Sequence, residues 1–73
     1  MTDWNKLRAR AKVLKELYPA GTRVMLKEMD DPQAPPLNTL GTVVGVDDIG
    51  SIMVQWDTGS SLSVTEEDRC VKI

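Results

Sequence analysis

Residues 41–62, GTVVGVDDIGSIMVQWDTGSSL, interleave β-branched runs with turn residues so closely that only short antiparallel strands fit the space. Ile52, Val54 and Trp56 share one face of an extended chain, while Met53 and Gln55 share the other, which is the pattern of a half-buried strand. Ahead of them, Thr42, Val43, Val44, Gly45 and Val46 form a second short strand. Asp47, Asp48, Ile49 and Gly50 supply the residues a hairpin loop uses. Gly45 inside that strand predicts a bulge, which brings Val43 and Val46 to the same side despite their odd spacing. Asp57, Thr58 and Gly59 then turn the chain into Ser61, Leu62, Ser63 and Val64, where apolar and polar residues alternate again. Two further strands complete the pattern. Thr22 to Lys27 comes first, with Val24 and Leu26 inward, and Cys70 to Ile73 closes the chain. The pattern predicts a mainly β domain, a small barrel of about five short strands over residues 19–73.

A domain of 73 residues lies near the lower limit at which a core without disulfides or metal sustains itself. The single cysteine, Cys70, admits no internal disulfide and points to a reducing, cytoplasmic setting. It has Arg69 as its only evident basic neighbour, so it reads as a packing residue rather than a reactive thiol. With no histidine in the chain, the common zinc-ligand sets and histidine-based catalysis are excluded. The apolar runs are too short to span a bilayer or to form the core of a signal peptide.

Residues 1–18 carry Lys6, Arg8, Arg10, Lys12 and Lys15 against Asp3 and Glu16, a balance of +3. Residues 19–73 carry four basic and nine acidic side chains, a balance of −5, which closes the total at −2. The basic segment reads as a helix. Thr2 is placed to cap it, Asp3 complements the dipole in the first turn, and Pro19 with Gly21 ends it. Trp4, Leu7, Ala11, Leu14 and Tyr18 recur at intervals of three and four and form an apolar stripe, with Val13 and Leu17 near its edge. The stripe either packs across an open side of the barrel or pairs with a second copy or a partner chain, so a homodimer through this helix is one expectation.

Between the first two strands, Asp30, Asp31, Pro32, Gln33, Ala34, Pro35 and Pro36 cannot continue a ladder, because the prolines lack amide donors. A long, stiff loop is expected there, of the sort that carries binding function. Asp30, Asp31, Asp47, Asp48 and Asp57 invite comparison with a Ca²⁺ or Mg²⁺ site, but their spacing matches no EF-hand loop. Each sits beside a Gly or Pro turn, where Asp bonds its own backbone, and no metal or cofactor is expected. A small barrel also offers little enclosed space in which to perturb a carboxylate, so no enzymatic activity is expected. The phase of Trp56 places it in the core. Trp4 and Tyr18, on the less firmly placed element, are better contact residues.

The order Tyr18-Pro19-Ala20-Gly21-Thr22-Arg23-Val24, Met29-Asp30-Asp31-Pro32 with Ala34-Pro35, Gly41-Thr42-Val43, Val46-Asp47-Asp48-Ile49-Gly50 and Trp56-Asp57-Thr58-Gly59 with Ser61-Leu62 resembles a small bacterial family, domain of unknown function 4314, over about residues 18–73. Asn38 stands where relatives tend to place glycine, a change a left-handed turn tolerates. The basic helix lies largely outside the matched stretch. The resemblance implies an SH3-like barrel with KOW-type strands, occurrence in Firmicutes, phages and conjugative elements, and no activity. Two functions are compatible with it. The favoured one is a protein-interaction module, an accessory or host-defence-countering protein of a mobile element. It would bind a larger host or phage protein through Trp4, Tyr18, Asp30, Asp31, Pro32, Pro35 and Pro36. The alternative is a nucleic-acid module that grips phosphates through Lys6, Arg8, Arg10, Lys12 and Lys15. The acidic body opposes that binding.

Overall fold

The computed structural model describes residues 3–73, so the capping role expected of Thr2 falls outside the described residues. One helix, α1 (Trp4–Leu17), precedes four strands: β1 (Arg23–Glu28), β2 (Leu40–Val46), β3 (Ile52–Trp56) and β4 (Arg69–Lys72). Asp3 itself is the N-cap: its carboxylate accepts the N–H groups of Asn5 and Lys6, both at 3.1 Å. All strand pairings are antiparallel, in the order β3-β2-β1-β4, and the sheet is open.

Five strands were expected and four form. Residues 61–64 make a single bridge, Val64 opposite Ile52, in which each N–H donates to the other carbonyl at 2.8 Å. The reason is local. Trp56 N–H donates to the Ser60 carbonyl and its indole Nε1 donates to the Leu62 carbonyl at 3.0 Å. The segment is therefore committed to closing the turn around the Trp56 ring before it runs alongside β3.

The core follows the expected phases. Val24, Leu26, Val43, Ile52, Val54, Trp56 and Val64 form one buried cluster, against which Leu14, Tyr18, Met29, Val46, Leu62 and Cys70 pack. Burial of each large side chain contributes about 1.5–3 kcal/mol, enough in sum to matter for so small a domain. The bulge lies where Gly45 predicts it: Val43 faces Val54, Gly45 faces Met53, and Val44 is the extra residue. Gly41 has a different role. A Cβ there would lie 2.6 Å from Trp56 Cε3 and 2.6 Å from Val54 Cγ1, so the absent side chain leaves the room that the indole occupies against β2.

The helix packs on its own sheet. Ala11 is buried and Leu14 and Tyr18 reach the core cluster, while Trp4, Val13 and Leu17 stay exposed. Below it lies the β2–β3 turn. Asp47 holds this turn by accepting the N–H groups of Ile49 and Ser51 on Oδ1, and Gly50 adopts φ +87°. Arg10 lays its stem across Gly50, where a Cβ would stand 3.4 Å from its Cγ, Cδ and Nε. Lys15 donates to Asp48 Oδ1 at 2.8 Å. Both flanks of the helix therefore grip one turn.

Candidate functional site

The loop between β1 and β2 is built from its own turn chemistry. Asp31 accepts the Gln33 N–H at 2.7 Å on Oδ1 and the Ala34 N–H on its carbonyl. Pro36 accepts both the N–H and the hydroxyl of Thr39. Asn38 takes φ 71°, the left-handed value expected of it, with its N–H on the Leu26 carbonyl and its side-chain oxygen accepting from Lys27 at 2.9 Å. Pro35 is buried. It lies within the domain at the base of the loop, off the free surface on which the sequence places it. Asp30, Asp31, Pro32 and Pro36 are exposed, and Leu37 beside them is 60% exposed.

Tyr18 and Trp4, paired as contact residues by the sequence, part company. Trp4 stands 56% exposed on the first turn of α1. Tyr18 is half-buried as the C-cap residue, with Lys72 Nζ 5.2 Å from its ring centroid. Burial, with Cys70 nearby, pushes its hydroxyl above the ordinary value. Burial also raises the Cys70 thiol, which makes it less nucleophilic at neutral pH and fits a packing role.

The helix cations divide as well. Arg10 is folded over Gly50, its Nε buried without a hydrogen-bond partner, and Lys15 is paired with Asp48. Lys15, with Arg8 nearby, holds the Asp48 carboxyl below the ordinary carboxylate range. Lys6, Arg8 and Lys12 remain exposed and make no ion pair among the described residues. The shallow groove along this flank is lined by Arg8, Lys12, Lys15, Glu16 and Asp48. Its mixture of signs differs from the single-sign track a phosphate backbone follows.

The acidic residues stay dispersed. Among the described residues, no three His, Cys, Asp or Glu side chains come close enough to hold a metal ion. Asp57 is occupied by a two-pronged bond to Arg23, at 2.8 and 2.6 Å, and Arg23 also donates to the Thr42 hydroxyl at 2.9 Å. That bond lowers the Asp57 pKa and raises that of Arg23. No helix among the described residues is long and apolar enough to cross a membrane.

Sequence reasoning passed over the outer face of the sheet. Met25 sits opposite both Leu40 and Val71 in register, and Met53 and Val44 lie on the same non-core side beyond the row formed by Ile73, Arg23, Thr42 and Gln55. Val44 and Ile73 are 61% exposed. Arg23, Thr42 and Gln55 share that side, so it mixes apolar and polar residues as a solvent-facing antiparallel sheet does. The available signal was the apolar identity of positions out of phase with the core in each strand.

The family model for a domain of unknown function, DUF4314, matches residues 7–73. The chain belongs to the DUF4314 family. The match reaches back to Leu7, ahead of the boundary near residue 18 expected from the turn motifs, so most of α1 is part of the family's pattern. This agrees with the grip of Arg10 and Lys15 on the β2–β3 turn, which makes the helix an integral layer of the domain. Nothing matches the chain among curated proteins or among solved structures.

Proposed function

We propose that this chain is a non-catalytic protein-interaction module, SH3-like in build, that binds a larger protein through the loop at residues 30–36. The bridge between Ile52 and Val64 and the burial of Val64 support the SH3-like reading, since they set the fifth expected segment beside β3. The observation that carries the functional reading is the fixed shape of the loop. Asp31 closes its turn, Pro35 anchors it in the domain, and Asp30, Pro32 and Pro36 face outward with Leu37. A loop already held in one conformation loses little entropy on binding. Its two carboxylates and two exposed prolines suit a basic or aromatic surface on the partner. An accessory role in a phage or other mobile element, countering a host protein, is the biological setting this reading favours.

Affinity capture with the full chain tests it. A discrete protein retained by the chain, and lost when residues 30–36 are replaced by Gly and Ser in a variant with an unchanged fold, supports the reading. Equal retention by both, or recovery of nucleic acid alone, contradicts it.

A further inference from the structure

We draw no further inference here: the strongest candidate, the outer face of the sheet around Met25, Leu40 and Val71, is crossed by the polar row of Arg23, Thr42 and Gln55, and nothing in the structure shows what covers it.

Discussion

Gly41→Ala adds one carbon at the most crowded point of the domain. That carbon would stand 2.6 Å from Trp56 Cε3, 2.6 Å from Val54 Cγ1 and 3.1 Å from the Gln55 carbonyl oxygen. None of these neighbours is free to retreat. Trp56 is 1% exposed and tied by its indole N–H to Leu62, and Val54 is buried beside it. Overpacking of this type costs about 1–3 kcal/mol, and a value near the top of that range is expected with two buried side chains in the way. Replacing glycine restricts the unfolded chain and returns about 0.4–1 kcal/mol. The net loss is about 2 kcal/mol, which for a domain of this length lowers the melting temperature by about 8–16 °C. Circular dichroism melts of the two proteins measure it. The cause is checked with Trp56→Phe, whose smaller ring leaves room for the added carbon. Gly41→Ala is expected to cost at least about 1 kcal/mol less in that background than in the native one. A melting temperature that is unchanged or raised in Gly41→Ala, or full additivity of the two substitutions, would refute the packing of the indole on β2.

Val54→Asp places an unpaired carboxylate in the core and is expected to cost about 3–5 kcal/mol, read by denaturant unfolding; unaltered stability would show the phase of β3 to be wrong. A chain beginning at Pro19 loses the Leu14 and Tyr18 contacts with the core and is expected to aggregate or fold poorly in light scattering and circular dichroism. If it stays monomeric and folded, α1 is not an integral layer. The Asp48 and Asp57 carboxyls are held below their unfolded value by Lys15 and Arg23 respectively. Their contribution to stability is therefore present above the ordinary Asp pKa of about 3.9 and is lost as pH falls through the lower folded values. Asp57→Asn is expected to flatten the acid limb of a stability–pH curve, and an unaltered limb would contradict the pairing. Cys70 is expected to react with a neutral-pH thiol reagent more slowly than a free small thiol, and faster modification would contradict the raised pKa.

Much of this fold is written in short-range patterns. Alternation in residues 52–56 gives the core phase of β3, Gly45 gives the bulge, and spacings of three and four give the helix face. Each depends on neighbours within one element, so a linear reading suffices. What escaped that reading depends on contacts across the chain or on competition between near-equal options. Thr2 and Asp3 are both good caps, and the choice of Asp3 rests on where the first helical N–H groups fall. Residues 61–64 alternate like a strand, yet the indole of Trp56 takes the Leu62 carbonyl. Pro35 reads as an exposed loop proline, and only the path of the folded loop buries it. Arg23 and Asp57, 34 positions apart, meet because β1 and the end of β3 flank β2. In the candidate surfaces, Trp4, Asp30, Asp31, Pro32 and Pro36 are exposed, whereas Tyr18 is half-buried in the helix cap and Arg10 lies over the turn below it.

The distinction between a protein-binding and a phosphate-gripping chain is tested most directly by fluorescence anisotropy with labelled duplex DNA and with RNA, across a salt series. At about 0.15 M salt the Debye length is about 8 Å, so the acidic body stays within reach of any strand drawn to α1. Two of the five helix cations are also engaged within the domain. No measurable binding of either nucleic acid is expected under those conditions. A tight complex that weakens steeply with added salt, with a slope reduced by neutralising Lys6, Arg8 and Lys12, would contradict it.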